Sequence, residues 1–393
     1  MTAQRLRQDK CAFDNGSSTR RTSDLETLDS GKGSHGHEEH KREYQRIQIL
    51  LASFSGTDGQ VLEGCDATGI AFTRQEPLGV VAQIVPWNYP IMMMAWKVAP
   101  ALAAGCAIVF KPAELTPLAT LLFCEMVRDA GYPAGAFNCV NSYGPVGGQA
   151  LASHMDVDKI AFTGSTNIGK QIAVQAASSN LKHVGLELGG KSPNIVLQSA
   201  NIEQTAAWCC LGIFENMGQS CTAASRILVH SSIYDEFLST FIKKASSHKV
   251  GDPFDPETYS GPQISKAHLD RIDGYVKSGV SEGAKIVLGG NRLEKIVKEE
   301  IFGPVAIVMK FETVEEAIQM ANDTEYGLAA GVHTEKQDEV IRVGARLKAG
   351  TVCGWGRELG KKGLEEYTIT KSYQWNYAQK LNWPFDLNGI SKL

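Results

Sequence analysis

Gly79-Val80-Val81-Ala82-Gln83-Ile84-Val85, followed by Pro86-Trp87-Asn88-Tyr89 and the apolar run Pro90 to Phe110, is the stretch on which the architecture turns. Its first segment is short, apolar and bounded by Gly and Pro, as a strand buried on both faces should be. Pro90 to Ala104 reads as a helix and Ala107 to Phe110 as a second strand. Lys97, Pro100 and Gly105 interrupt the run, and a bilayer tolerates such a charge poorly, so a membrane span is not expected.

The alternation continues downstream. Thr116-Pro117 offers a helix start, with Thr as cap and Pro at the first position, and that helix should end at Gly131. Phe137 to Val140 reads as a third strand, Val146 to His154 as a helix, Lys159 to Phe162 as a fourth strand and Ser165 to Ser178 as a helix. Strands separated by helices build a parallel sheet with helices on both faces. A second βα-rich unit begins near Gly189. Its apolar runs are Asn194 to Leu197, Arg226 to Val229, Lys285 to Leu288 and Val305 to Phe311, and its helices are Ile202 to Glu215, Tyr234 to Ser247 and Val314 to Asn322. Upstream, Val61-Leu62 and Ala71-Phe72 read as a hairpin across a turn at Gly64 to Gly69. The tail from Tyr367 to Leu393 is weakly patterned. The fold class is α/β.

A chain of 393 residues, 43% hydrophobic and 21% charged, is long enough for two or three domains with their own cores. The net charge of −4 provides no broad basic field for nucleic acid or an anionic membrane. Nine scattered Cys without a CxxC pair suggest neither a zinc site nor a disulfide framework, and reduced thiols point to the cytoplasm. Met1 to Asp24 is polar, so no secretory signal is expected. Residues 1 to 42 read as a disordered or degenerate segment. Their His35, His37 and His40 miss the HExxH spacing by one residue, so a solvated His tract is favoured over a metal site.

Parallel sheets bind ligands at the carboxyl ends of their strands. After the first strand, Asn88 can present a carboxamide N–H to a developing oxyanion, although a simple turn-former is the blander alternative. The second strand ends in Lys111-Pro112-Ala113-Glu114, where Lys and Glu can grip two ribose hydroxyls or merely form a surface ion pair. Gly164 and Ser165, between strand and helix, can hold a pyrophosphate on free N–H groups, a weak signal by itself. Two further segments are Leu186-Glu187-Leu188-Gly189-Gly190-Lys191-Ser192-Pro193 and Asn216-Met217-Gly218-Gln219-Ser220-Cys221-Thr222. In the second, Cys221 lies in a loop beyond a helix, where nearby N–H groups favour a thiolate. Cys106, Cys124, Cys139 and Cys210 read as inert packing.

In this order, Pro-Trp-Asn, Lys-Pro-Ala-Glu, Phe-Thr-Gly-Ser-Thr, Glu-Leu-Gly-Gly-Lys-Ser, Gly-Gln-x-Cys and Glu-Glu-Ile-Phe-Gly-Pro resemble the aldehyde dehydrogenase superfamily, in its NAD(P)-dependent, non-acylating branch. The resemblance runs from about Gln75 to Gly350. It implies a Rossmann-like NAD-binding domain over 43–188 containing a bridging hairpin at 59–77, an α/β catalytic domain over 189–353, and a C-terminal return and bridging segment over 354–393. It implies Cys221 as nucleophile, Asn88 as oxyanion donor and Glu187 as general base. Lys111 and Glu114 would bind the adenosine ribose, Trp87, Gly144, Gly164 and Ser165 would line the cofactor site, and Glu300 and Phe302 would flank the nicotinamide end. Met93 and Trp96 match the aldehyde tunnel, and Glu358 matches a carboxylate behind the reacting groups. NAD is expected ahead of NADP, with an aldehyde substrate and a homo-oligomer, dimer or tetramer.

The resemblance also expects three features that this sequence lacks: the first strands of the cofactor domain, a strand between Gly290 and Lys295, and a strand with a Pro-Phe-Gly-Gly loop between Val352 and Gly356. The alternative to an active enzyme is therefore an impaired paralogue or truncated product that binds nucleotide or oligomerises without turnover. A CoA-acylating enzyme is disfavoured by Glu187, because transfer to a thiol needs no hydrolytic base.

Overall fold

The computed structural model describes residues 28–30, 59–62, 69–288, 295–350 and 354–376. Five parallel strands form the first sheet, in the order β5 (Phe137–Cys139), β4 (Ala107–Lys111), β3 (Val80–Ile84), β6 (Lys159–Thr163), β7 (His183–Glu187). β3 alternates its side chains between two covered faces, so it is apolar at every position but Gln83, whose buried amide donates to Lys97 O at 2.7 Å. Val81 faces a cluster with Met93, Met94 and Val98 of the helix Pro90–Ala104 and with Phe123 and Val127 of the helix Leu118–Asp129. Ala82 and Ile84 face the opposite cluster, with Ile172 and Ala176 of the helix Thr166–Ser178. Both faces are covered, as a parallel sheet requires.

The second sheet is also parallel, ordered β10 (Ile307–Phe311), β9 (Arg226–His230), β8 (Pro193–Val196), β11 (Gly331–His333). Helices Ile202–Phe214 and Tyr234–Ala245 cover one face, and Val314–Asn322 with Gln337–Gly344 the other. A third, antiparallel sheet joins β1 (Val61–Leu62), β2 (Gly69–Pro77) and β12 (Thr368–Asn376). The hairpin has the expected register, Val61 opposite Phe72 and Leu62 opposite Ala71, while its turn at 63–68 lies outside the described residues. The weakly patterned tail supplies β12, which pairs with β2 from Thr368 opposite Pro77 to Asn376 opposite Gly69.

Four expectations are corrected. Thr116 does not cap the helix after it: the helix is Leu118–Asp129, and the buried Thr116 hydroxyl has no partner. Asp29 caps it instead, its carboxylate accepting the N–H groups of Leu118 at 2.8 Å and Ala119 at 3.4 Å. Residues 28–30 are accordingly helical and not disordered, while the rest of 1–42, including the His tract, lies outside the described residues. Val146 to His154 is not one helix but a wide turn over Gly144–Gly148 followed by a helix over Gln149–Ser153, because glycines at 144, 147 and 148 loosen the first turn. Lys285 to Leu288 forms no strand. Ile286, Val287 and Leu288 are 38%, 47% and 55% exposed, where a strand buried in the second sheet would be covered.

No helix among the described residues is long and apolar enough to cross a membrane. Nor is any group of three or more His, Cys, Asp or Glu among them placed to hold a metal ion.

Candidate active site

The carboxyl ends of β3, β4, β6 and β7 open onto a cleft of about 1540 Å³ shared with the second sheet. Every candidate residue read from the sequence lines it: Trp87, Asn88, Met93 and Trp96 after β3, Lys111 and Glu114 after β4, Gly144 after β5, and Gly164 and Ser165 after β6. Glu187 ends β7, and Cys221, Glu300, Phe302 and Glu358 reach in from the later chain. Residues more than 200 positions apart in sequence thus meet at one crevice, where a doubly wound sheet binds ligands.

Local backbone conformation presents Cys221. The helix Ile202–Phe214 is followed by a turn in which Asn216 (φ 49°), Met217 (φ 57°) and Gly218 (φ 71°) are left-handed. For Asn216 and Met217 this costs about 1–3 kcal/mol each and persists only where the surroundings hold it. Asn216 Nδ2 donates to Asn88 O at 2.8 Å and to Gln219 O at 3.2 Å. Gln219 Oε1 in turn accepts the Ile264 N–H at 2.9 Å. Asn88 Nδ2 donates to Gln219 O at 2.9 Å, so the carboxamide is fixed beside the cysteine loop with its second N–H available. Phe302 is also left-handed (φ 63°), and a Cβ on Gly218 would lie 2.3 Å from the Gly303 carbonyl. The two strained turns are back to back.

Glycines also permit the approach of the acidic groups. A Cβ on Gly189 would stand 2.3 Å from Glu300 Oε2, and one on Gly190 would stand 2.0 Å from the Cys221 carbonyl oxygen. Glu300 Oε1 accepts the Gly190 N–H at 2.9 Å, and burial raises its pKa above the usual carboxylate range. Burial, then the carboxylates of Glu300 and Glu187, pushes the Cys221 thiol up to about 12, against the pull of the Cys221 and Thr222 N–H groups. Burial, then the charge of Glu358, pushes Glu187 up to about 8, opposed by Lys97 and Arg357.

Glu358 is held by the buried Lys97, which it meets in an ion pair, and Lys97 belongs to the same helix as Met93 and Trp96. The C-terminal return brings it there: Leu186 N–H donates to Trp355 O at 2.6 Å and Trp355 N–H to Leu186 O at 3.1 Å, beside the end of β7. At the other end of the cleft, the buried Lys111 Nζ lies 3.4 Å from Glu114 Oε2 and 3.1 Å from Pro112 O. Gly164 N–H donates to Glu187 O at 3.0 Å, and Ser165 precedes the first turn of the helix Thr166–Ser178 without capping it, leaving N–H groups for an anion. A buried Lys beside a carboxylate, a glycine turn and a free helix N-terminus fit a dinucleotide.

Sequence reading missed several residues that build the site. Asn216 and Gln219 were quoted within the cysteine loop, but only the left-handed turn reveals their positioning work. His268 and Arg271 line the cleft from the helix Lys266–Ser281. His268 Nε2 lies 2.7 Å from Phe302 O, and its ring meets those of Trp87 at 5.2 Å and Phe302 at 6.0 Å. Their signal was modest, a Ser265 cap that accepts the His268 N–H at 3.1 Å.

A parallel doubly wound sheet with a cleft at its strand ends is the architecture of a dinucleotide-binding enzyme, and in this one a thiol stands beside two carboxylates in that cleft. The model of the aldehyde dehydrogenase family matches residues 17–362, and the chain belongs to that family. It is 44% identical over 360 residues to an aldehyde dehydrogenase of Emericella nidulans, covering 82% of this chain and 72% of that protein. It is 43% identical over 352 residues to retinal dehydrogenase 2 of Homo sapiens, covering 80% and 68%. Among solved structures it is similar to betaine aldehyde dehydrogenase of Staphylococcus aureus in complex with NAD+, with a TM-score of 0.90 and 35% identity, covering 98% of this chain and 85% of that one. The protein is an oxidoreductase acting on the aldehyde group, with a nicotinamide dinucleotide as cofactor. None of these likenesses favours the impaired alternative that the missing segments raised.

Proposed function

We propose that Cys221, Asn88 and Glu187 carry the oxidation of an aldehyde to a carboxylic acid. The observation that carries this reading is the convergence of a thiol, a fixed carboxamide and a proton-holding carboxyl on one cleft. The Cys221 thiolate attacks the carbonyl carbon, and the Asn88 N–H with the Cys221 N–H holds the oxyanion of the thiohemiacetal. The dinucleotide, when bound, accepts the hydride, which leaves a thioester on Cys221. Glu187 then takes a proton from water as it attacks that thioester, and the acid departs. Glu358 acts through Glu187, and Met93 and Trp96 wall the aldehyde's path.

For the cofactor, Lys111 and Glu114 hold the adenosine ribose, Ser165, Gly164, Gly144 and Trp87 the pyrophosphate end, and Glu300 with Phe302 the nicotinamide end. NAD is preferred over NADP, because a 2′-phosphate would meet the Glu114 carboxylate. The domain limits proposed are 43–188, 189–353 and 354–393, a division supported by the change from the first sheet to the second between β7 and β8, with the hairpin at 59–77 and β12 sharing the third sheet. The protein works in the cytoplasm as a dimer or tetramer, a setting consistent with the free thiols of the described cysteines.

The test is Cys221→Ala, which should abolish NADH formation while dinucleotide binding, read by calorimetry, survives. Comparable turnover in the variant would remove Cys221 as nucleophile.

A further inference from the structure

The helix Lys266–Ser281 crosses the segment from Glu299 to Gly303, and its side chains hold that segment at successive points. Tyr275 Oη donates to Glu299 Oε2 at 2.9 Å, Arg271 Nη2 to the Glu300 carbonyl at 2.9 Å, and His268 Nε2 to the Phe302 carbonyl at 2.7 Å. Positions 268, 271 and 275 are three and four residues apart, so they share one helix face. On that face Ile272 packs with the buried Ile301, and a Cβ on Gly303 would stand 2.5 Å from Ile272 Cδ1. Ser265 Oγ accepts the His268 N–H at 3.1 Å, which anchors the first turn of the helix. The segment needs such holding. Phe302 is left-handed at φ 63°, a conformation that a bulky residue keeps only where its surroundings impose it.

We propose that His268, seconded by Arg271, is a positioning residue for hydride transfer, fixing through the Phe302 and Glu300 carbonyls the two side chains at the nicotinamide end, a role that rests on the placement of Glu300 and Phe302 proposed above. The hydrogen bond from His268 holds the strained turn, and the turn sets where the Phe302 ring and the Glu300 carboxyl stand. Arg271 is exposed, so its share is the smaller one. The cysteine loop has supports of its own, from Asn216 Nδ2 to Asn88 O and from Ile264 N–H to Gln219 Oε1, and none of them involves His268. Loss of the His268 bond therefore falls on the cofactor's reactive end and not on the nucleophile. Ring packing and hydrogen bonding can be separated at this position. His268→Phe keeps an aromatic ring against Trp87 and Phe302 and removes the donor, whereas His268→Gln removes the ring and keeps an N–H donor.

The experiment compares two reactions of the full chain: the first-turnover burst of NADH from propanal and NAD, and hydrolysis of p-nitrophenyl acetate without dinucleotide, which uses the thiol but transfers no hydride. His268→Phe should slow the burst about 10–100-fold, since a displacement of about 1 Å near a reacting centre costs up to about 100-fold. The burst should also gain a larger isotope effect with propanal deuterated at the aldehyde carbon, while ester hydrolysis shows no comparable fall. His268→Gln should recover most of the burst. Arg271→Met, expected to slow the burst less, is the second variant should His268→Phe fail to fold. A burst at the wild-type rate in His268→Phe would overturn the proposal. So would a parallel fall in burst and ester hydrolysis, or a His268→Gln burst as slow as that of His268→Phe. Glu300→Gln separates the two levels of the reading: a slow burst there with a normal one in His268→Phe discards the positioning role alone, and normal bursts in both discard the placement of Glu300 as well.

Discussion

Glu187 offers the sharpest quantitative test of the site. Its carboxyl is pushed up to about 8, burial first and the charge of Glu358 second. A general base must be ionised to act, and at pH 7 a group with that pKa is ionised in about one molecule in ten. Hydrolysis of the Cys221 thioester should therefore rise with pH along a limb centred near 8, not near the ordinary carboxylate value of 4.5. Glu358→Gln removes the neighbouring negative charge and frees Lys97, so the limb should move to lower pH. At an effective dielectric constant of about 20, a carboxylate several ångströms away contributes on the order of 1–3 kcal/mol, or one to two pH units. Glu187→Gln should keep the first equivalent of NADH and slow acyl-enzyme decay by about 10²–10⁴-fold. Stability must follow the same shift. Between 4.5 and about 8 the folded state holds a proton that the unfolded chain has released, so stability falls as pH rises through this window. Glu187→Gln should match wild type below the window and exceed it above. The assay is rapid-quench measurement of acyl-enzyme decay from pH 5 to 10, with unfolding curves over the same range. A limb centred between 4 and 5, or steady-state turnover undiminished in Glu187→Gln, would refute the assignment.

Other consequences are checked more simply. Glu114→Gln should relax or reverse the preference for NAD, and equal calorimetric affinities of the wild type for NAD and NADP would count against the ribose grip. Gly218→Ala places a Cβ 2.3 Å from the Gly303 carbonyl at a left-handed φ of 71°, so it should lower stability by about 2 kcal/mol or more and cut turnover, read by denaturant unfolding and steady-state assay. Asp29→Ala removes the carboxylate that caps the helix Leu118–Asp129 and should cost about 1 kcal/mol without changing the catalytic pH profile.

What the sequence made legible is what depends on short range. β3, β4 and β6 were visible because a strand covered on both faces is mostly apolar, with Gln83, Lys111, Lys159 and Thr163 the buried exceptions, and the helix Pro90–Ala104 was visible as a longer apolar segment between two of them. The fourteen candidate site residues were legible through the family resemblance that the ordered motifs carry, and the same motifs hold glycines where backbone and side chains approach closely: Gly189 makes room for Glu300 and Gly190 for the Cys221 backbone. Interactions between distant segments were not. Nothing local announces that Asp29 caps a helix starting at Leu118, and the obvious Thr116 misled. β7, β11 and β12 alternate too weakly to stand out, and their pairing is set by β6, β8 and β2. Lys285 to Leu288 failed for the converse reason: the run is strand-like in composition, yet it is exposed and joins no sheet among the described residues.

The two reactive protons of the site are linked, and the linkage bears on how one cleft runs two steps. Glu187 and Glu300 both hold the Cys221 thiol toward its protonated form. While Glu187 is neutral, as it mostly is below about pH 8, one of those repulsions is absent and the thiolate forms more readily. In the proposed mechanism, attack on the aldehyde would therefore be favoured by protonated Glu187, and thioester hydrolysis by ionised Glu187. A Glu187 pKa near 4.5 would leave the base always charged and the thiolate always opposed; a fully buried, unopposed carboxyl would never ionise to activate water. Lys97 and Arg357 pull against burial and Glu358, and a balance near 8 would, in the proposed mechanism, let the same carboxyl step aside for the first reaction and serve the second. The buried Lys97–Glu358 pair is therefore better understood as the device that sets this balance than as a source of stability, since desolvating two charges offsets most of what their attraction contributes.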